Sequence, residues 1–199
     1  MNLNAIRLLL EESTPDGVDC HSAAPEYGNG SAAEIESALL LYSLVRRLQP
    51  RCCVETGTNF GFSTAWIALA LQDVWKDYPA RAKGFIYTVD ATDYPENEVL
   101  WNRLGVQEFI HKAVADSRTC RIPEEVDFLF LDSDHSTEHV LDEWRHFAPA
   151  LNPQKALVLC HDTRLDVRTG PAMEEIVRQL KTSGRQFGYC PFRNLRGSI

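Results

Sequence analysis

The sequence predicts an α/β domain whose mostly parallel sheet is wound by helices on both sides. Three observations predict it. Five short apolar runs of strand character alternate with helical segments, and a parallel crossover needs an intervening helix and is right-handed. The run Cys52-Cys53-Val54 passes through Glu55 into two glycines four apart, Gly57 and Gly61, then into Ser63 and an Ala/Leu-rich segment, which reads as strand, tight turn and helix. At 199 residues the chain has the length of one domain, enough for a full α/β core and too short for a second, substrate-binding domain.

The elements follow in order. Residues 3 to 12 read as a short helix, and a loop rich in Ser, Pro, Gly and Asp runs from there to residue 30. Loops of that length are often lids or binding segments. Residues 1–30 are therefore expected to form an N-terminal helix and loop, a candidate lid, and residues 31–199 the main domain. Ser31 with Glu34 forms a capping box. The helix behind it carries Ile35, Leu39, Tyr42 and Val45 on a broad apolar face with Leu41, Leu44 and Leu48, and Pro50 ends it. After the glycine turn, a helix spans 63 to 71.

Residues 85 to 90 form the second strand, 96 to 104 a helix, 108 to 113 the third strand and 126 to 132 the fourth. Ser136 caps a helix whose Val140, Leu141, Trp144, Phe147, Ala148 and Leu151 share a face. Asn152-Pro153 breaks it, and residues 156 to 160 are the fifth strand. Pro171 suits the first position of a last helix ending near Ser183-Gly184. Residues 186 to 192 and 195 to 199 are expected to pair as a closing antiparallel hairpin.

Composition narrows the partners. Twenty-eight acidic against twenty basic residues give a net charge of −8, which opposes nucleic-acid binding, since phosphate contacts are made by Lys and Arg. Arg46, Arg47 and Arg51 read as a solvated helix end. Six cysteines include no CxxC pair, and Cys52 and Cys53, adjacent on a strand, point to opposite faces and cannot bridge. They read as core residues of a reducing compartment. Cys20 and His21 have no recognised zinc spacing. No apolar segment reaches membrane-spanning length, so the expectation is a soluble, cytoplasmic protein without a membrane partner.

In open α/β sheets, ligands bind beyond the carboxyl ends of the strands. Glu55, Asp90, Asp116, Asp132 with Asp134 and His135, and His161 with Asp162 all fall at or just after strand ends and would share one rim. The turn reads ExGxxxGxS and lacks the third glycine of the dinucleotide fingerprint. Its glycines would let a ligand approach the main chain. A carboxylate at the strand end opposes a pyrophosphate and suits a ligand carrying an ammonium and a sulfonium, as S-adenosylmethionine does. Asp90, at the end of the second strand, can accept both hydroxyls of a ribose. Any one of these aspartates can also be a cap or turn residue.

The stretch from 52 to 66 resembles the first motif of class I S-adenosylmethionine-dependent methyltransferases. The block Phe130-Leu131-Asp132-Ser133-Asp134-His135-Ser136-Thr137-Glu138, followed by Trp144 and by Leu159-Cys160-His161-Asp162, resembles their sugar and natural-product O-methyltransferase branch, methyltransferase domain 24-like. The likeness covers residues 31 to 190; the loop before residue 31 and the short C-terminal end depart from it. It implies a Rossmann-like doubly wound sheet, strand order 3-2-1-4-5-7-6, and methyl transfer to a hydroxyl of a small polar acceptor. It implies S-adenosyl-L-methionine as cofactor, held by Glu55, Gly57, Thr58, Gly61, Ser63, Asp90, Asp116, Ser117 and Asp132, with Asp116-Ser117 at the adenine amino group. A homodimer is compatible with it.

In that fold the fourth and fifth strands are neighbours, so Asp132 and Asp162, with His161 or Asp134, can converge. Hard oxygen ligands with one imidazole suit Mg²⁺ or Mn²⁺. The expected metal set is Asp132, His161 and Asp162, and the expected catalytic pair Asp132 and His135, the latter as general base because an imidazole ordinarily titrates at about 6.5. Two other readings stand beside this one. A nicotinamide-dependent oxidoreductase would need a third glycine and a catalytic Tyr-Lys or equivalent, and a non-catalytic nucleotide-binding protein of the same fold would bind cofactor without turnover.

Overall fold

In the computed structural model, which describes residues 3–13, 35–121, 125–163, 169–184 and 186–190, the five apolar runs form one parallel sheet in the order β3-β2-β1-β4-β5. The strands are β1 (Cys52–Thr56), β2 (Phe85–Asp90), β3 (Ile110–Val114), β4 (Phe128–Leu131) and β5 (Leu157–Cys160). The helices are α1 (Leu3–Ser13), α2 (Ile35–Leu48), α3 (Phe62–Asp77), α4 (Glu96–Leu104), α5 (Thr137–Phe147) and α6 (Thr169–Thr182). β1 and β4 are buried at every residue, which is why they read as unbroken apolar runs rather than alternating ones.

The two cysteines opening β1 mark the two faces of the sheet. Cys53 joins Ile86, Phe128, Phe130 and Trp66 in the core under α1 to α4, while Cys52 joins Leu129, Trp144, Phe147 and Ile176 under α5 and α6. The five cysteines among the described residues are all free. α3 is buried from Phe62 to Val74 because it lies between the sheet and α2. Replacing the fully buried Trp66 by Ala would cost about 3–5 kcal/mol. A polar seam joins α2 to α3: the Tyr42 hydroxyl donates to Asp73 at 2.6 Å, and burial, with Asp73 beside it, pushes that phenol well above its usual range. α1 docks on this side through Ala5 and Leu9.

Several expectations are corrected. The closing hairpin and the seven-stranded order give way to five strands, all parallel, among the described residues. Residues 186–190 carry no strand, and Phe187 and Tyr189 stand exposed on either side of Gly188, a poor strand residue; residues 191–199 lie outside the described residues. α3 runs to Asp77, not Leu71. The third strand starts only at Ile110, after a 3-10 turn over Gln107–Phe109. α5 ends at Phe147 because Pro149 turns the next residues into a 3-10 turn, and Leu151 instead forms a bridge with Val126. α6 begins two residues before Pro171, which sits in the first turn where its missing N–H is not needed. The Ser31–Glu34 capping box and the loop from residue 14 to 30 lie outside the described residues. No described helix is long and apolar enough to cross a membrane.

Candidate active site

Parallel strands bring their carboxyl ends to one rim, and the order of winding reverses between β1 and β4. A cavity of about 790 Å³ opens at that switch point, within the range of about 300–1,000 Å³ usual for small-molecule sites. Its walls carry Asp90, Asp116, Ser117, Asp132, His135, His161 and Asp162, and its floor is the turn from Gly57 to Ser63.

The turn needs glycine for a reason other than ligand approach. Gly57 has φ +84°, and a Cβ there would lie 2.1 Å from the carbonyl oxygen of Asp132. Gly61, at φ +76°, would drive a Cβ to 2.7 Å from Asn97 and Trp101, whose indole N–H donates to the Gly61 carbonyl at 2.9 Å. Both glycines are required by the β4 exit and α4 pressing on the turn. Thr58, buried, is anchored by a 2.7 Å hydroxyl contact with Thr88.

Glu55 also departs from expectation. It shares the Cys53 face of β1, lies fully buried beneath the first turn of α3, and does not line the cavity. Its Oε2 accepts from the hydroxyls of Thr64 and of Thr88, the latter at 2.7 Å, while Oε1 has no hydrogen-bond partner. Burial raises its pKa to about 7, against the lowering effect of the Ser63, Thr64 and Thr88 hydroxyls and with Asp132 adding to the rise. Alternation puts Glu55 on the Cys53 face of β1, and the hydroxyls of Thr64 and Thr88 hold its carboxyl under the turn.

Asp90 does face the cavity. Its Oδ2 accepts the Asn59 N–H and its Oδ1 the Thr92 N–H, each at 2.9 Å, which ties the glycine turn to β2 and leaves one lone pair on each oxygen. Asp116 is taken up by Arg118, through its backbone N–H, Nε and Nη2 at 2.9, 3.0 and 2.7 Å. The guanidinium holds that carboxyl far below the usual range. Ser117 beside it is buried, with its hydroxyl 3.2 Å from Nε2 of His139.

The opposite wall is built by β4 and β5. The Asp132 N–H continues the ladder to Thr56 at 3.1 Å. His161 Nδ1 lies 3.1 Å from Asp132 Oδ1 and 3.4 Å from Asp162 Oδ1, and His135 Nε2 lies 3.6 Å from Asp162 Oδ2. Asp162 reaches both histidines from a left-handed backbone, φ 54°. Asp132 and Asp162 come together at His161, the first of the two completing residues expected. Asp134 does not join them, since its Oδ1 accepts the Ser136 N–H at 2.7 Å. Among the described residues no group of three or more His, Cys, Asp or Glu side chains has the spacing of a metal centre.

Sequence reasoning missed Asn59, Phe60 and Tyr94, whose two rings pair at 5.1 Å on the cavity wall. It also missed His139 and Glu143, an i,i+4 pair on α5. The available signal was an acid, Glu143, beside Val140, Trp144 and Phe147 on the buried face of the helix.

A doubly wound parallel sheet with a cavity at its switch point, a glycine turn and an acid closing β2 places the chain in the Rossmann-like α/β class. Residues 54–163 match a family model described as a methyltransferase domain, and the chain belongs to that family. No curated protein matches it by sequence. Among solved structures it is similar to an O-methyltransferase from Bacillus cereus in complex with S-adenosylhomocysteine, with TM-score 0.69 and 14% identity over 98% of this chain and 87% of that one. It is also similar to TomG, an O-methyltransferase of tomaymycin synthesis from Streptomyces achromogenes in complex with S-adenosylmethionine, with TM-score 0.65 and 15% identity over 100% and 95%. A third is an S-adenosylhomocysteine-bound methyltransferase from Podospora anserina, with TM-score 0.70 and 13% identity over 96% and 85%. At such identities the likeness is one of fold. Membership of the methyltransferase family displaces the oxidoreductase reading.

Proposed function

We propose that this chain transfers a methyl group from S-adenosylmethionine to a hydroxyl of a small polar acceptor. The observation that carries the proposal is one cavity with Asp90 on one wall and Asp132, His135, His161 and Asp162 on another. The residues fit the cofactor: Asp90 keeps free lone pairs for two ribose hydroxyls, and the backbone from Gly57 to Ser63 supplies a close floor. The cofactor supplies a methyl group on a cationic sulfur, which an acceptor oxygen displaces in line while sulfur keeps the bonding electron pair.

His135 is the group we assign to the acceptor proton. It lines the cavity, with its Nε2 3.6 Å from Asp162 Oδ2. Asp132 and Asp162 both reach Nδ1 of His161, and these are the three residues we assign to a Mg²⁺ or Mn²⁺ ion, which would supply Lewis acidity to the acceptor oxygen, although as they stand their spacing is not that of a metal centre. Ligation at that nitrogen would replace its present polar contacts with the carboxylates. Holding oxygen and methyl in line favours a step in which opposite charges disappear.

The test is calorimetric titration with S-adenosylhomocysteine, expected to bind at micromolar level, about −8 kcal/mol, with NAD as competitor, expected to have no effect. Donor consumption across a panel of small hydroxylated acceptors then separates an enzyme from a binding protein. Heat from NAD and none from S-adenosylhomocysteine would overturn the assignment.

A further inference from the structure

Lys112 lies on the edge strand β3, yet only 13% of its side chain is exposed. The three hydrogens of its ammonium meet three acceptors: Asp93 Oδ1 at 2.5 Å, the Tyr94 carbonyl at 3.2 Å and Asn97 Oδ1 at 3.2 Å. Asn97, in the first turn of α4, is fully buried. Its Nδ2 donates to the Asn59 carbonyl at 3.3 Å, and the Asn59 N–H donates in turn to Asp90 Oδ2 at 2.9 Å. One line of hydrogen bonds thus joins β3, α4, the glycine turn and the end of β2. Neither Asn97 nor Lys112 lines the cavity, and nothing in the proposed methyl transfer uses them.

The sense of each bond is fixed from both ends. An ammonium only donates, so the Asn97 atom facing Lys112 is the amide oxygen; a peptide carbonyl only accepts, so the atom facing Asn59 is the amide nitrogen. Turning the amide over would set donor against donor and acceptor against acceptor. Asn59 needs such a hold, because its φ of 45° lies in the left-handed region that a residue with a side chain occupies at a cost. One of its backbone groups is held by Asp90 and the other by Asn97. Trp101, one turn further along α4, holds the Gly61 carbonyl at 2.9 Å, so α4 grips the turn at two carbonyls. The Asp90 carboxylate is set in its turn by two N–H groups, that of Asn59 on one oxygen and that of Thr92 on the other. With Asn59 released, one anchor remains, and the carboxylate has to be ordered when the ligand arrives.

We propose that Asn97 and Lys112 are positioning residues: the Lys112 ammonium orients the Asn97 amide, the amide holds Asn59 in its left-handed turn, and the Asn59 N–H sets the Asp90 carboxylate for the ribose hydroxyls of the donor. This rests on the reading that Asp90 accepts those hydroxyls. Neither positioning residue touches cofactor or acceptor.

Asn97→Asp separates this role from packing. It keeps the shape of the side chain and an acceptor for Lys112, but puts a second acceptor against the Asn59 carbonyl. Affinity is measured by calorimetry for S-adenosylhomocysteine and for an analogue lacking both ribose hydroxyls. The proteins are wild type, Asn97→Asp, Lys112→Met, Asp93→Asn, Asp90→Ala and the Asn97→Asp/Asp90→Ala double variant, with thermal melts to verify folding. The expected result is a roughly five- to tenfold loss of S-adenosylhomocysteine affinity in Asn97→Asp and in Lys112→Met, the scale of one hydrogen bond. Asp93→Asn, which removes only an exposed partner of Lys112, should stay within about twofold of wild type. The analogue should bind wild type and Asn97→Asp within about twofold of each other, and the double variant should be no weaker than Asp90→Ala alone. A side chain that served packing alone would weaken both ligands together.

Wild-type affinity in either Asn97→Asp or Lys112→Met overturns the positioning role and leaves the functional reading intact. So does a loss in Asn97→Asp that is as large for the analogue, or on the Asp90→Ala background. Should Asn97→Asp fail to fold, the contrast between Lys112→Met and Asp93→Asn, read with both ligands, decides the matter. Wild-type protein that takes up no S-adenosylhomocysteine overturns the functional reading and the positioning role together.

Discussion

Glu55 and Thr88 are register partners on β1 and β2, and the Thr88 hydroxyl donates to Glu55 Oε2 at 2.7 Å. The strand pairing therefore fixes a buried carboxyl against the hydroxyl that also holds Thr58 of the glycine turn. The charge state of Glu55 is felt directly where the turn begins.

The pH dependence of stability follows from this burial. The Glu55 pKa rises from 4.5 to about 7 on folding. Below about 4.5 the carboxyl is protonated in both states and its contribution is fully present; as pH rises through 7 the folded protein must ionise it, and the contribution is lost. The difference is on the order of 3 kcal/mol. Urea unfolding at intervals from pH 4 to 8 should give a wild-type stability that declines across this window relative to Glu55→Gln. Parallel profiles for the two proteins would refute it.

A comparison of glycines tests the packing of the turn. Gly57→Ala meets both a left-handed backbone and the Asp132 carbonyl at 2.1 Å, whereas Gly105→Ala, at φ +66°, meets no atom within 4 Å. Denaturant unfolding should show a loss of about 2–4 kcal/mol for Gly57→Ala and about 1 kcal/mol for Gly105→Ala. Equal losses would mean that backbone conformation alone, and not the β4 exit, demands glycine at position 57.

These two sites also mark how far the sequence could be read. The strands β1 to β5 are legible because each is an apolar run ending in a polar residue or leading to one, whereas their order comes from the methyltransferase resemblance, and Asp132, His161 and Asp162 meet as its pairing of β4 with β5 implies. Glu55 was misplaced because a strand-end acid can point to the rim or beneath the next helix, and only its pairing with Thr88 and Thr64 decides which. Spacing also cannot reveal the second demand for glycine at position 57, where a Cβ would lie 2.1 Å from the Asp132 carbonyl oxygen. The hairpin expected over residues 186 to 192 and 195 to 199 finds no strand in residues 186–190, where Phe187 and Tyr189 stand exposed.

Asp90 should govern cofactor affinity more than fold. Its carboxylate ties Asn59 and Thr92 to β2 and, in the proposed reading, accepts ribose hydroxyls. Asp90→Ala should lower S-adenosylhomocysteine affinity by about 1.5–3 kcal/mol, the range for hydrogen bonds to a charged acceptor. Asp90→Asn, which keeps one acceptor oxygen, should lose less. Titration calorimetry distinguishes them, and unchanged affinity in Asp90→Ala would remove the ribose role.

The wall of β4 and β5 separates a metal-assisted reaction from one driven by a base alone. If Asp132, His161 and Asp162 bind a divalent cation, activity should vanish in chelator and return with Mg²⁺ or Mn²⁺, and Asp132→Ala should lose the ability to be restored. If His135 takes the acceptor proton, His135→Ala should slow turnover by about 10²–10⁴-fold while S-adenosylhomocysteine affinity stays near wild type, because the ring serves the transfer and not the cofactor. Asp162→Asn should move both readouts, since its two oxygens reach His135 and His161 separately, at 3.6 and 3.4 Å. Full turnover in chelator would remove the metal and leave the base, whereas unchanged turnover in His135→Ala together with chelator-sensitive activity would transfer the burden of activating the acceptor to the cation.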